Sequence, residues 1–267
     1  MRLVDSHCHL NKELYNDGLD GIFSRAAENS VGCMLFASSD VATSMEAVCT
    51  ANMYKCIPNI YAAVGVHPHE AAKVSSDYID EIETLSKDSR VLAIGEIGLD
   101  YFYDISPREV QRKVFAEQLE LAKRAAKPVV IHVRDSKSKS DGDAASELLH
   151  LLREHGAEKC GGVIHCFSGN AKEARSALEL GFYISFAGPI TYPSNRVLRE
   201  IAADIPIDRI LCETDSPYLA PQGYRGKRNE PRHVRSVYEC IAMLRGMSVD
   251  KFADIVCKNF ERAFHIV

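Results

Sequence analysis

The chain of 267 residues is 46% hydrophobic and 26% charged, a composition that builds a packed core and excludes the disordered and fibrous classes. With 32 basic against 37 acidic residues the net charge is -5, which excludes a globally basic nucleic-acid coat but leaves room for a local basic patch. Nine cysteines, spread singly with no Cys-x-x-Cys pair, read as reduced thiols rather than a disulfide framework and point to a cytoplasmic protein.

The N-terminal run Met1-Arg2-Leu3-Val4-Asp5 enters an apparent strand directly, without the apolar core and cleavage site of a signal peptide. No apolar stretch approaches the ~20 residues that span a bilayer, so no membrane partner is expected, and no obligate protein partner is indicated. Short apolar runs rich in β-branched residues predict strands at 2–5, 33–37, 60–66, 91–94, 129–131, 162–164, 182–186 and 209–212. Between them lie helical patterns. The clearest is 107–125, where Val110, Val114, Leu119 and Leu121 mark an apolar face after a proline start. Others fall at 41–53, 75–87, 144–155, 171–180, 194–203, 231–245 and 249–264. Eight strands alternating with helices predict an α/β chain, a closed eight-stranded (β/α)8 TIM barrel forming a single domain over 1–267; a doubly wound open sheet is the alternative.

A barrel demands that reacting groups sit at the C-terminal ends of its strands, where the βα loops build the site. The first run ends in His7-Cys8-His9, two imidazoles two residues apart and so on one side of a strand. The fourth carries Glu96, a carboxylate in an apolar run that is costly to bury without a partner or a cation. The fifth delivers His132 and then Arg134, the sixth His165, the eighth Glu213 and Asp215. Any one of these could be a satisfied core histidine or a structural carboxylate. Together His7, His9, Glu96, His132, His165 and Asp215 exceed what one tetrahedral zinc needs and suit two divalent ions sharing a carboxylate. The donors admit Zn, Mn, Mg, Co or Ni. His67, on the third rim, is placed against substrate, and His69 at the surface or behind a ligand. Glu213 reads either as orienting a ligand or as contacting substrate. There is no Walker loop, no Gly-x-Gly-x-x-Gly after the first strand and no Gly-x-Ser-x-Gly elbow, so nucleotide-driven, dinucleotide and serine-hydrolase chemistry lose support.

These segments resemble the TatD family of metal-dependent hydrolases: Asp5-Ser6-His7-Cys8-His9-Leu10, Gly65-Val66-His67-Pro68-His69, Gly95-Glu96-Ile97-Gly98-Leu99-Asp100-Tyr101, Pro128 to Arg134, Ile164 to Gly169, Glu213 to Pro221 and Arg225 to Pro231. They run from end to end of the chain. The resemblance implies a barrel with two metals and DNase activity, in many members a 3′-to-5′ exonuclease. It also implies that His7, His9, Glu96 and Asp215 hold one ion and Glu96, His132 and His165 the other. On that arrangement the expected catalytic groups are Asp215, whose second oxygen can take the proton of an attacking water, and Glu96, shared between the ions. Residues 135–143 read as a variable loop.

For the substrate, residues 225–235 set Arg225, Lys227, Arg228, Arg232 and Arg235 against Glu230 alone, a local basic excess after the eighth strand that suits phosphate contacts. Arg134, Arg225, Lys227 and Arg228 are expected to bind substrate; Tyr101, Phe102, Tyr103 and Tyr218 are candidates for stacking on splayed bases. The expected partner is DNA, single-stranded or at 3′ ends. The alternatives are ester hydrolysis on a D-aminoacyl-tRNA or a small ester or amide, and a nucleic-acid-binding protein with structural metals.

Overall fold

A computed structural model describes residues 2–15, 18–55, 58–138 and 143–266; four residues of the expected variable loop, 139–142, lie outside them. The strands are β1 (Leu3–Cys8), β2 (Val31–Ala37), β3 (Asn59–Val64), β4 (Val91–Asp100), β5 (Val129–Arg134), β6 (Gly162–Ile164), β7 (Tyr183–Phe186) and β8 (Ile210–Cys212). They pair in chain order in one parallel sheet that curls into a nearly closed barrel, and the open-sheet alternative falls. Around it run α1 (Leu19–Glu28), α2 (Val41–Met53), α3 (Tyr78–Ser86), α4 (Arg108–Ala125), α5 (Ala144–Glu154), α6 (Ala171–Glu179), α7 (Arg196–Asp204), α8 (Val234–Leu244) and α9 (Val249–Ala263). Among the described residues no helix is long and apolar enough to cross a membrane, and the eight described cysteines are free thiols.

Local chemistry explains the helix starts. Asp40 and Thr43 form a reciprocal capping box ahead of α2, Asn170 and Glu173 do the same for α6, and the Ser248 hydroxyl accepts the Lys251 N–H at α9. Helix α1 escaped the sequence reading. It follows Gly18, which offers no side-chain cap, yet Leu19, Ile22, Phe23 and Ala26 are buried at helical spacing.

Strand β4 is six residues longer than expected and reaches Asp100, so Glu96 sits inside a strand rather than just past one. Its register against β5 slips between Ile94 and Ile97. Gly98 permits the close approach there: at φ +150°, a Cβ would stand 1.8 Å from the carbonyl oxygen of His132.

The seam between β8 and β1 closes by side chains. The Tyr238 hydroxyl, from α8, accepts the Val4 N–H (3.1 Å) and donates to the Val4 carbonyl (3.0 Å), while Asn259 of α9 donates to the Ile210 carbonyl (2.8 Å). Backbone groups that a ladder would pair are thereby satisfied from outside. Nearer the mouth, the buried Asp5 carboxylate accepts the Thr214 N–H (2.8 Å) and hydroxyl (2.6 Å). The Asp215 N–H then reaches the His7 carbonyl (3.0 Å) and the His9 N–H the Ser216 carbonyl (2.8 Å). These last bonds place Asp215 beside the two histidines of the first strand.

Candidate metal centre

All six expected ligands converge at one mouth of the barrel around the carboxylate of Glu96, which is 2% exposed. Its two oxygens face different partners. Oε2 looks toward His7 Nε2 (3.4 Å) and His9 Nε2 (3.7 Å), while Oε1 looks toward His165 Nε2 (2.7 Å), His132 Nδ1 (2.9 Å) and His67 Nε2 (3.5 Å). Asp215 Oδ1 joins the first set, 3.4 Å from His9 Nε2 and 3.6 Å from His7 Nε2. Its backbone is left-handed, φ +54°, and the hydrogen bond to the His7 carbonyl holds that turn over β1.

The far sides of the rings decide which nitrogen faces inward. His9 Nδ1 stands 3.1 Å from the Ala37 carbonyl, His132 Nε2 lies 3.1 Å from Asp100 Oδ2, and His165 Nδ1 lies 3.3 Å from Glu213 Oε1. Each of those partners only accepts, so each outer nitrogen carries the proton and the inner one presents its lone pair. The inner nitrogens meet in facing couples, His7 Nε2 with His9 Nε2 at 3.3 Å and His132 Nδ1 with His165 Nε2 at 3.4 Å. Lone pairs converging on a carboxylate at such distances need a proton or a cation between them. The residues present therefore fit divalent metal binding, one donor set on each Glu96 oxygen.

The electrostatics agree. Burial alone would raise the Glu96 carboxyl, but the imidazoles of His165, His67 and His7 hold it well below the ordinary range. Burial works against a charged His165, yet Glu96 and Glu213 push its proton affinity well above the ordinary value; the same balance, through Asp100 and Glu96, raises His132. His7 and His67 shift down because burial dominates. For Asp215 the opposing burial is outweighed by the His9 hydrogen bond and the nearby His7, so it stays ionised.

Two expectations need correction and a third is resolved. Glu213 does not contact substrate: it is fully buried, and its Oε1 accepts the Cys166 N–H (2.6 Å) while facing His165. His69 takes the second of its two expected places, behind a ligand: partly exposed, it sets Nε2 3.0 Å from the same Asp100 oxygen that His132 faces. Tyr101 is packed at 3% exposure with its hydroxyl on Glu147 (2.5 Å), so it cannot stack on a base. Asp100 has no role among the sequence-based expectations. Its Oδ1 takes the N–H groups of Phe102 (3.0 Å) and Tyr103 (2.8 Å), leaving Oδ2 for the two histidines. An acid that ends an apolar strand two positions past a glycine was the available signal.

The rim carries the remaining candidates. Arg134 is exposed and lies over the rings of Phe102 (4.2 Å) and Tyr103 (4.9 Å). Tyr218 is 53% exposed, with its ring 5.9 Å from that of His9. Buried Asn229 donates to the carbonyls of Thr214 (2.9 Å) and Tyr218 (2.7 Å), tying the basic loop to this edge, where Arg225, Lys227 and Arg228 are exposed. Within this loop Glu230 pairs with Arg232 (3.1 Å) and Arg228 (3.9 Å), and also with Arg25 of α1 (2.8 Å).

A (β/α)8 barrel with this histidine–carboxylate centre at its mouth defines the class, a metal-dependent hydrolase. The TatD-related DNase family model matches residues 4–265, and the chain belongs to that family. It is 40% identical over 264 residues to an uncharacterized metal-dependent hydrolase of Bacillus subtilis (strain 168), YabD, covering 99% of each chain. It is 37% identical over 271 residues to a second uncharacterized metal-dependent hydrolase, YcfH of Escherichia coli (strain K12), covering 100% of this chain and 97% of that one. The crystal structure of YjjV, a TatD homologue from Escherichia coli K12, superposes with a TM-score of 0.90 at 30% identity, covering 100% of this chain and 99% of that one.

Proposed function

We propose that this protein is a two-metal phosphodiesterase acting on DNA, with single strands or 3′ ends as substrate and 3′-to-5′ exonucleolytic cleavage as its mode. The observation that carries the two-metal part is the division of Glu96: one oxygen turned to His7 and His9, the other to His132 and His165. His7, His9 and Asp215 with Glu96 Oε2 would hold one divalent ion, and His132 and His165 with Glu96 Oε1 the second; Zn, Mn, Mg, Co and Ni all suit such donors. Ions bound there supply a water ionised near neutral pH and positive charge against the substrate's oxygens.

The protein's own groups do the rest. Asp215, ionised and 13% exposed at its side chain, can accept the proton of an attacking water at the carboxylate oxygen not turned to the histidines and return it to the leaving oxygen. Glu213 and Asp100 keep the His165 and His132 rings in place. Exposed Arg134, Arg225, Lys227 and Arg228 meet backbone phosphates, and exposed Tyr103 and Tyr218 offer faces on which bases can stack.

The test is hydrolysis by metal-reconstituted protein of 5′-labelled single-stranded DNA, run beside a D-aminoacyl-tRNA and a small aryl ester, with Glu96→Ala as the control. Stepwise release of nucleotides from the 3′ end is expected. Turnover of the aminoacyl ester or small ester alone would overturn the DNA reading while keeping the hydrolytic centre.

A further inference from the structure

His67 stands apart from the other imidazoles of the centre by its tautomer. It precedes the short 3-10 turn Pro68–Lys73, and its Nδ1 accepts the backbone N–H of His69 at 3.1 Å. A backbone amide can only donate, so Nδ1 must present a lone pair. A doubly protonated ring would set N–H against N–H there. The single proton therefore rests on Nε2, the atom that faces the centre, 3.5 Å from Glu96 Oε1. This reverses the arrangement of His9, His132 and His165, whose outer nitrogens donate and whose inner nitrogens carry lone pairs.

Proximity alone would make His67 a ligand, since donor atoms of His67, Glu96 and His132 lie within 4.8 Å of one another. The tautomer says otherwise. A metal bound at Nε2 would force the proton onto Nδ1 and break the cap on the His69 N–H. At 3.5 Å the bond to Glu96 is too long to hold the proton firmly. With its side chain 11% exposed, the ring edge reaches the mouth.

Resting on the hydrolytic reading of this centre, we propose that His67 is a catalytic hydrogen-bond donor: its Nε2–H meets an anionic oxygen of the reacting phosphoryl group, and it ligates no metal. Such a neutral donor is aimed before substrate arrives and gives up no proton, so it needs no reorganisation as charge grows on that oxygen.

Two substitutions separate this role from the cap. In His67→Asn the amide oxygen overlies Nδ1 and keeps the cap but removes the inward donor. In His67→Gln the amide nitrogen overlies Nε2 and keeps the donor. The experiment titrates inorganic phosphate into the zinc-loaded parent and both variants by calorimetry, with metal content measured on the same samples. His67→Asn is expected to keep its full metal content and to bind phosphate roughly ten- to hundredfold more weakly, the loss of one hydrogen bond to a charged group. His67→Gln should stay within about threefold of the parent. Phosphate affinity unchanged in His67→Asn, equal loss in both variants, or loss of a metal equivalent from either one would overturn the assignment. Cleavage of bis(p-nitrophenyl) phosphate is scored separately. A parent that binds phosphate through His67 yet cleaves no diester would overturn the hydrolytic reading and the catalytic role with it, leaving His67 as an anion donor that ligates no metal.

Discussion

At the scale of single residues, the convergence of the six expected ligands was legible because each lies within or just after an apolar run, a placement that a barrel turns toward its mouth. What sits behind each ring was not legible. Asp100, Glu213 and the Ala37 carbonyl act across strands, 32, 48 and 28 residues from the histidines they orient, and no spacing rule links such positions. The same is true of Glu96: its burial could be inferred, the division of its oxygens could not. Asp215→Asn tests the base directly. An amide oxygen can still coordinate, so metal content should hold, while kcat falls by about 10²–10⁴, the usual worth of a general base. Metal analysis and single-turnover kinetics on one preparation check both halves. A pH dependence follows from the rings. His132 and His165 bind protons above the ordinary imidazole value of 6.5, with burial opposing and the carboxylates Asp100, Glu96 and Glu213 prevailing. A cation must displace those protons, so metal affinity should still be rising as pH passes upward through 6.5. Chelator-competition titrations at pH 6, 7 and 8 measure this; a flat profile would show that neither ring is a ligand.

At the scale of elements, the strands were read from apolar runs, and the runs break where polar side chains enter. Strand β4 was bounded at Ile94, where Gly95, Glu96 and Gly98 interrupt the apolar run, yet it continues through them to Asp100. Helix α1 was lost because Gly18 gives no cap signal, although its four buried positions repeat at helical spacing. Gly98 is what lets β4 carry Glu96 against the strand that carries His132. Gly98→Ala would drive a Cβ into the His132 carbonyl from a backbone conformation alanine does not tolerate. A loss on the order of 3 kcal/mol or more is expected, read as a lower denaturation midpoint with weakened metal binding. An unchanged midpoint would mean that β4 and β5 can separate without cost, contrary to the register described.

At the scale of the molecule, eight strands in chain order were foreseen, but the way the barrel closes was not. Tyr238, Asn259 and Asp5 seal the β8–β1 seam from α8, α9 and the mouth, and nothing in the local sequence of β1 or β8 announces that. The charge of the whole chain is acidic, so under the proposed function the basic groups of the rim alone would meet the substrate's phosphates. Replacing Arg225, Lys227 and Arg228 together by neutral residues should weaken single-stranded DNA binding and flatten the slope of log K against log salt by about 2, with kcat at saturation little changed. Fluorescence anisotropy over a salt series gives the slope; an unaltered slope would remove this loop from the substrate path. The account turns most of all on Glu96 holding two ions. Anomalous diffraction at the absorption edge of the bound metal, on crystals of the reconstituted protein, addresses that directly. The account predicts two peaks about 3.5–4 Å apart. Glu96 should lie between them, with His7, His9 and Asp215 around one, His132 and His165 around the other, and His67 bound to neither. A single peak, or a metal on His67 Nε2, would contradict it.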